Sequence, residues 1–392
     1  MNVLDILIVL AVLVGVLGGY QRGFWLGLAQ YAGALAGILI GARFAPDVVD
    51  RLDIVDPTGR QAVALIVIVV ASVIGGSIGF WLVGPIRRRL LSTPLLGTLD
   101  SLAGAVLSAA VTLVVAWLLA LTFARGPVPE VARAIQQSTI IREVDSAIPA
   151  SPAFIDRVQR VLSGTLLPPI FTGLEPELPS PVSPSTASIT DGVRAAAAST
   201  VRIEGLGCGG IATGSGFAVG NGLIVTNAHV VSGTARTRVS APDGQSAAAT
   251  VVYFDPGRDL AILRAPNLRL TPLLPGEARS GTDGAVIGYP GGGPLRISPA
   301  VIQSRIDARG RDIYSRRLVE RDIWTVSAEV RPGNSGGPVV DEQGRFLGTV
   351  FAASVSNPGQ AYALTADEIV PAIREATTDP ETIDTREFAC VR

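Results

Sequence analysis

Four apolar segments in the first third of the chain constrain its fold more than any other feature of the sequence. They cover residues 4–20, 24–42, 62–84 and 101–123. Each approaches the roughly 20 residues that a helix needs to cross a bilayer. No basic region precedes the first segment and three more follow it, so we expect it to be retained rather than removed as a signal peptide. The sequence therefore predicts an all-α membrane domain of four transmembrane helices over residues 1–125.

Positive charges in the short loops predict how these helices are oriented. Arg87, Arg88 and Arg89 lie between the third and fourth segments, and Arg22 lies in the other loop on the same side. Short loops rich in arginine tend to stay in the cytoplasm. We therefore expect a multi-pass protein of the inner (plasma) membrane whose C-terminal part is periplasmic or otherwise extracytoplasmic.

Glycines recur at a spacing of four residues inside the apolar segments, and such ridges allow two helices to approach closely. They are Gly15 and Gly19, then Gly33, Gly37 and Gly41, then Gly75 and Gly79. No charged residue or histidine occupies the middle of a segment, whereas ion and proton pathways usually need one. Helix packing within a lipid bilayer is therefore favoured over a pore.

Residues 126–187 read as a connector between two domains. Two amphipathic patterns, at 131–144 and 153–162, favour short helices, and residues 168–188 contain six prolines among polar residues. That composition predicts an extended, poorly ordered tether. An exposed tether is open to self-cleavage by a protease on the same chain. A domain that carries the connector and stays full length on incubation would count against this hypothesis.

The remaining chain, residues 188–392, has the pattern of an all-β domain. Short β-type runs alternate with turns of Gly, Asn, Asp and Pro, which is typical of a barrel or sandwich. Runs of this kind include 200–203, 216–219, 223–226, 250–253, 260–264, 285–288, 323–326, 338–340, 346–351 and 361–364. Helical pattern is confined to 188–198 and 366–376.

The stretch 331–338, Arg-Pro-Gly-Asn-Ser-Gly-Gly-Pro, surrounds one serine with small residues. Gly333 can adopt a backbone conformation closed to other residues, so the amides of Gly333 and Ser335 could turn inward together as donors to a developing oxyanion. A serine is a weak nucleophile and needs a histidine base held by a carboxylate. The stretch therefore predicts a reactive Ser335 that depends on a histidine elsewhere in the chain.

His229 is the single histidine of the chain and follows an apolar run at 222–228. A lone histidine is more often structural, but a strand end can present an imidazole to a cleft. Two acids compete as its partner. Asp255, in Phe-Asp-Pro-Gly, has the composition of a turn. Asp259 directly precedes an apolar strand that could bury its carboxylate, so Asp259 is preferred as the residue that orients the imidazole.

Four motifs together resemble the chymotrypsin-like serine proteases, in particular the bacterial HtrA branch, in which the triad order is His, Asp, Ser. They span residues 213–217, 226–229, 259–261 and 333–338. The resemblance implies a double β-barrel with catalytic His229, Asp259 and Ser335, an oxyanion hole from Gly333 and Ser335, and no metal or organic cofactor. The implied substrate is a protein or peptide outside the cytoplasm.

The membrane part resembles the colicin V production proteins through the glycine-rich junction at 18–24. Combined, the two parts are similar to the acid-resistance membrane serine proteases of actinobacteria, which implies a role in envelope or acid stress. After Leu364 only 28 residues remain, fewer than the PDZ module of many HtrA proteins, so PDZ-driven assembly is not expected.

The resemblance also suggests a substrate pocket, and the positions of the two cysteines suggest a disulfide. The pocket residues would be Glu329, Val330, Arg331, Ala352, Tyr362 and Ala363. Mostly small and apolar walls favour a medium-sized, uncharged P1 residue, unless an inward carboxylate of Glu329 favours a basic one. Cys390 is expected to reach back to Cys208 in an oxidising compartment. We hypothesise that this bond also regulates the triad, a role that equal activity of Cys208→Ala and the unaltered protein would remove.

Two further classes of function remain open at this point. A protease-like domain with a distorted triad could serve as a binding scaffold, and the four helices could act as a transporter or sensor with the protease as its output. A net charge of −1 gives no indication of a nucleic-acid partner.

Overall fold

The computed structural model describes residues 2–52, 57–90, 94–123, 129–148, 171, 174–176, 179–220, 222–354, 357–378 and 381–391. Contacts between Cα atoms divide the chain into two units. One contains residues 1–120 and 137–144, and the other contains 121–136 and 145–392. The predicted division at 125 and 187 stays a prediction.

Four long helices make up most of the described part of the first unit: α1 (Val3–Arg22), α2 (Phe24–Arg51), α3 (Pro57–Leu90) and α4 (Pro94–Phe123). Each contains a stretch that is long and apolar enough to cross a membrane, and the stretches are Val3–Arg22, Phe24–Ala45, Ile66–Pro85 and Leu95–Leu121. Their mean hydropathy lies between 1.5 and 2.5. The prediction of four membrane helices is confirmed.

The spaced glycines of α2 and α3 lie where these two helices meet, and Gly15 and Gly19 of α1 lie against α4. A Cβ atom added at Gly37 would lie 2.1 Å from the carbonyl oxygen of Ala71, and one added at Gly33 would lie 2.2 Å from that of Gly75. Such separations are far below van der Waals contact, so only glycine allows the two backbones to touch at these positions. The glycine ridge is therefore a helix-packing surface.

Replacing Gly37 with valine should separate α2 from α3, because overpacking a close contact costs about 1–3 kcal/mol. Gly84 of α3 has no heavy atom within 4 Å of an added Cβ, so Gly84→Val is the matched control. We expect Gly37→Val alone to lower the temperature at which the detergent-solubilised protein loses its monodisperse peak in size-exclusion chromatography. An equal loss in both variants would contradict the packing role.

Two short helices follow the membrane helices. They are α5 (Pro129–Gln136) and α6 (Thr139–Ala147), which match the amphipathic pattern at 131–144. The second pattern, at 153–162, lies outside the described residues. Asp5 is fully buried in the first turn of α1 and accepts hydrogen bonds from Ser138 Oγ at 2.6 Å and the Ile140 amide at 3.2 Å. A carboxylate at the N-terminus of α6 stabilises that helix, because the amides of the first helical turn have no acceptor within the helix.

Twelve antiparallel strands among the described residues form two closed barrels. The first has the order β1-β2-β3-β6-β5-β4 and the second β10-β11-β12-β9-β8-β7. The strands are β1 (Thr200–Gly207), β2 (Gly210–Gly220), β3 (Leu223–Thr226), β4 (Thr234–Ser240), β5 (Ser246–Asp255), β6 (Leu260–Arg264), β7 (Asp283–Gly288), β8 (Arg296–Arg311), β9 (Leu318–Ser327), β10 (Pro338–Asp341), β11 (Phe346–Ala353) and β12 (Gln360–Thr365). The expected double β-barrel is confirmed.

Three further helices and three short 3-10 turns accompany the barrels among the described residues from 179 onward. The helices are α7 (Asp191–Ala198), α8 (Ala228–Val231) and α9 (Ala366–Thr378), and the turns are Thr186–Ser188, Pro290–Gly292 and Thr385–Glu387. The barrels join through apolar side chains: the ring of Phe217 on β2 lies 5.2 Å from that of Phe346 on β11, both fully buried. This contact helps to fix the two barrels against each other, so loops from both can form one cleft.

Two strands, β4 and β8, are absent from the runs found in the sequence. In β4 the sequence Thr-Ala-Arg-Thr-Arg-Val-Ser places Arg236 and Arg238 on an exposed face. The second half of β8 is similarly charged. Charged residues interrupt the apolar alternation on which the strand prediction depends. These two strands are instead stabilised by their partners, since β4 pairs with β1 and β8 pairs with β9.

The connector differs from the predicted poorly ordered tether where it is described. Carbonyl groups of Pro179 and Ser180 accept hydrogen bonds from Gln360 Nε2 at 3.0 Å and Gln303 Nε2 at 2.9 Å. The amide of Val182 donates to Ser327 Oγ at 3.0 Å. Proline lacks an amide donor but keeps its carbonyl, so glutamine side chains of the second barrel hold this segment in place.

Candidate active site

His229 lies in the single helical turn α8, which follows the buried strand β3. Its side chain is only 10% exposed, and its Nδ1 lies 2.7 Å from Asp259 Oδ2. The backbone amide of His229 donates to the other carboxylate oxygen of Asp259 at 2.9 Å. The same carboxylate therefore fixes both the ring and the backbone of the histidine, which is the arrangement of an oriented base.

Asp259 directly precedes β6 and is fully buried. Its φ angle is +59°, a left-handed conformation that aspartate tolerates better than most residues. Its carbonyl oxygen accepts a hydrogen bond from Asn227 Nδ2 at 2.8 Å. A buried non-glycine residue in this conformation is found mainly where surrounding contacts determine it, and such residues cluster at functional sites.

Asp255, the competing acid, has a different environment. Its carboxylate accepts hydrogen bonds from the amides of Gly257 at 2.7 Å and Arg258 at 3.0 Å, and it pairs with the Arg258 guanidinium at 2.9 Å. These are the contacts of a turn-forming aspartate. Asp255 therefore closes the loop that leads to Asp259.

Ser335 lies in the loop between β9 and β10 and is 5% exposed. The loop packs against the segment that carries His229: a Cβ atom added at Gly336 would lie 3.1 Å from the amide nitrogen of Asn227. Gly333 and Gly336 have φ angles of +97° and +85°. Residues other than glycine rarely adopt these angles, so both glycines are needed for the sharp turns around the serine.

Hydrogen bonds hold the carbonyl groups of Pro332 and Asn334, which belong to the same peptides as the two expected oxyanion donors. The Gly291 amide donates to the Pro332 carbonyl at 2.7 Å, and the Gly337 amide donates to the Asn334 carbonyl at 2.9 Å. In a trans peptide the N–H points opposite to the C=O. The amides of Gly333 and Ser335 therefore point away from these contacts, and neither donates to another described residue.

The six suggested pocket residues lie in three different settings. Ala352 and Tyr362 belong to one buried apolar cluster and Ala363 to another, all three at most 3% exposed. Val330 is half-buried beside the second cluster. Glu329 and Arg331 are exposed and form an ion pair with each other. The carboxylate of Glu329 is thus an exposed group whose partner is a neighbouring guanidinium.

Arg321 on β9 is an important residue that the sequence analysis did not single out. It is 2% exposed and donates from Nε to the Gly257 carbonyl and from Nη2 to the Arg311 carbonyl, both at 2.7 Å. Burial lowers the pKa of its guanidinium, although the negative charge of Asp259 opposes that effect. Arg321 thereby ties the loop before Asp259 to the second barrel. Period-two alternation with Val319 and Ile323 would have marked it as inward-facing.

Cys208 and Cys390 form a disulfide across a sequence separation of 182 residues. Further contacts hold the chain end: the Gly233 amide donates to the Thr385 carbonyl at 3.0 Å, and the ring of Phe388 stacks on that of Phe254 at 4.5 Å. The C-terminal segment is thus fixed to the first barrel by one covalent bond and several weaker ones.

Two antiparallel barrels with a glycine-rich serine loop define a serine protease of the trypsin-like class. A profile of the trypsin-like peptidase domain matches residues 214–348, and a profile of the colicin V production protein matches residues 4–149. A crystal structure of the active form of the Rv3671c protease from Mycobacterium tuberculosis aligns with a TM-score of 0.52 at 37% identity. It covers 56% of this chain and 96% of that one.

Similarity extends through the membrane part. Serine protease Rv3671c of Mycobacterium tuberculosis is 34% identical over 381 residues, which are 93% of this chain and 94% of that protein. A probable periplasmic DegP-like serine endoprotease of Chlamydia pneumoniae is 37% identical over 37% of this chain and 30% of its own length. The chain belongs to the family of membrane-anchored, HtrA-like serine proteases that includes Rv3671c.

Replacing both Cys208 and Cys390 with serine should lower the free energy of unfolding of this unit. The chain-entropy relation gives about 5 kcal/mol for a loop of this size, an upper figure because strain in the folded protein and residual structure in the unfolded chain reduce it. We expect pulse proteolysis of the full-length protein in detergent, in a Ser335→Ala background, to show this lower free energy of unfolding. A reducing agent should reproduce the loss in the disulfide-containing protein and leave the double variant unchanged. No difference between the two proteins would contradict the structural role.

Proposed function

We propose that this serine protease hydrolyses peptide bonds of proteins outside the cytoplasm, with Ser335 as nucleophile, His229 as base and Asp259 as the orienting acid. The observation that carries the proposal is the 2.7 Å contact between His229 Nδ1 and the buried carboxylate of Asp259. A carboxylate in this position keeps the proton on Nδ1 and leaves Nε2 free to accept one.

The steps follow from these positions. Ser335 Oγ attacks the scissile carbonyl carbon while His229 Nε2 takes the hydroxyl proton. The C–N bond then breaks as His229 returns that proton to the leaving amine, which leaves an ester on Ser335. A water molecule, deprotonated by the same histidine, hydrolyses the ester and restores the serine. Asp259 stays ionised throughout and stabilises the imidazolium.

The amides of Gly333 and Ser335 are proposed as the oxyanion donors. Neither amide donates to another described residue, and both are oriented because the carbonyls of the same two peptides are bound by Gly291 and Gly337. Backbone donors fixed before the reaction need no reorganisation when charge develops on the carbonyl oxygen, and one donor contributes about 3 kcal/mol in comparable enzymes. These residues supply the polar groups that this chemistry requires.

Two observations support placing the protease outside the cytoplasm. Arg87, Arg88 and Arg89 lie at the C-terminal end of α3, where positive charge favours the cytoplasmic side, and α4 would then lead to the opposite side of the membrane. The disulfide between Cys208 and Cys390 is a bond that persists mainly in oxidising compartments. A role in envelope or acid stress rests on the family resemblance, and self-cleavage in the connector remains a hypothesis beside it.

A scaffold function is the second candidate. Among the described residues the Ser335 hydroxyl forms no hydrogen bond, so the nucleophile and base are not yet joined in this state. Hydrogen bonds of catalytic residues often tighten only when substrate binds. The scaffold hypothesis would apply only if this contact never forms.

Labelling by a fluorophosphonate separates the two candidates. The full-length protein should form a covalent adduct that Ser335→Ala abolishes, with a fall in peptide hydrolysis of up to about a millionfold, as for loss of a nucleophile in comparable enzymes. Ser199→Ala, which removes a hydroxyl at a 1% exposed site, should label normally. Absence of a Ser335-dependent adduct at any pH or redox condition would favour the scaffold.

The proposed preference for a medium-sized, uncharged P1 side chain rests on the mostly small and apolar character of the expected pocket residues, since Ala352, Tyr362 and Ala363 are buried in this structure. The Glu329 carboxylate is paired with Arg331 rather than free to bind a basic side chain. A peptide library should therefore be cleaved mainly after residues such as Ala, Val or Leu, and Glu329→Gln should keep the same profile. Dominance of Arg or Lys at P1 would contradict the prediction.

A further inference from the structure

Ser215, in the Thr-Gly-Ser-Gly-Phe motif of β2, has a set of contacts that the proposed triad does not account for. It is fully buried and lies on the first barrel. Its amide donates to the carbonyl of Ser335 at 2.8 Å. Its carbonyl accepts from Thr226 Oγ1 at 2.8 Å, next to the segment that carries His229. The backbone of Ser215 thus touches both parts of the site.

The Ser215 hydroxyl joins two loops of the second barrel. It donates to the Gly333 carbonyl at 2.7 Å and accepts from the Tyr289 amide at 2.9 Å. The roles are unambiguous because a carbonyl only accepts and an amide only donates. Tyr289 begins the turn that includes Gly291, and the Gly291 amide holds the Pro332 carbonyl. The hydroxyl and this turn together hold two consecutive carbonyls of the nucleophile loop.

These two carbonyls determine where the Gly333 amide points. The Pro332 carbonyl belongs to the same peptide as the Gly333 N–H and points opposite to it. Gly333 has a φ of +97°, where backbone rotation is less restricted than at other residues. The loop could therefore rotate this peptide and lose the donor unless the flanking carbonyls are held. Removing the hydroxyl would leave the Tyr289 amide and the Gly333 carbonyl unpaired in a buried place.

We infer that Ser215 is a positioning residue whose hydroxyl holds the nucleophile loop in the conformation that directs the Gly333 and Ser335 amides at the oxyanion. The inference deepens the proposed function and rests on it. Ser215 touches neither substrate nor the reacting atoms, and it acts through the loop backbone.

Ser215→Ala tests this role because it removes one oxygen atom and adds nothing. Interactions made only in the transition state affect kcat and leave KM unchanged. We expect kcat to fall on the order of 10- to 100-fold, less than the 10²–10³ lost with a donor itself, and KM to stay within about twofold. A peptidyl boronic acid, whose adduct places an oxygen at the oxyanion position, should bind more weakly by a similar factor.

Ser188→Ala is the matched control. Ser188 is 2% exposed and its hydroxyl donates to the Gly284 carbonyl at 2.8 Å, outside the nucleophile loop. It loses the same kind of buried hydrogen bond and should keep kcat unchanged. If Ser215→Ala lowers only the thermal midpoint, with kcat and boronate affinity equal to those of Ser188→Ala, the positioning role is wrong.

Two further variants keep the outcomes separate. If Ser215→Ala does not fold, Ser215→Cys, whose thiol is a weaker donor and acceptor, replaces it, and a smaller fall in kcat at constant KM is expected; a kcat equal to that of Ser188→Ala would overturn the inference. Ser335→Ala tests the proposed function by itself. Full hydrolysis by Ser335→Ala removes that function, whereas inactive Ser335→Ala with fully active Ser215→Ala removes the positioning role alone.

Discussion

The hydrogen bond from the Ser215 amide to the Ser335 carbonyl lies at the junction on which the proposed chemistry depends. His229 and Asp259 belong to the first barrel and Ser335 follows β9 of the second. A base and a nucleophile on separate barrels can cooperate only if the barrels keep one relative position. This 2.8 Å bond, with the packing of aromatic side chains from both barrels, provides that constraint.

Backbone groups form much of the site, and hydrogen bonds to their carbonyls determine which way they face. The proposed oxyanion donors are amides, and their direction follows from carbonyls bound by Gly291 and Gly337. Arg321 acts similarly on the acid, since its guanidinium holds the Gly257 carbonyl two residues before Asp259. Buried polar groups are costly unless they are paired. Because these groups are paired, each loop has one favoured conformation. Loss of a single hydrogen-bond partner should therefore lower catalytic activity before it unfolds the protein.

Patterns over short windows predicted much of the architecture. The membrane helices follow from uninterrupted apolar runs, and ten strands contain the apolar runs found in the sequence. Strands β4 and β8 could not be found in this way because charged residues interrupt their alternation and their partners lie elsewhere in the chain. The connector was expected to be poorly ordered from its prolines, yet Gln303 and Gln360 bind the carbonyls of its described part. Composition describes a segment alone, whereas order depends on what surrounds it.

The sequence by itself determined the order of domains, the predicted triad and the glycines around Ser335, because these depend on residue type and local spacing. Only the tertiary structure placed Ser215 between two loops and Arg321 beside the Asp259 loop. The physical reason is that these roles rest on hydrogen bonds between residues that are distant in sequence. The packing of the two barrels against each other determines which donor each carbonyl binds.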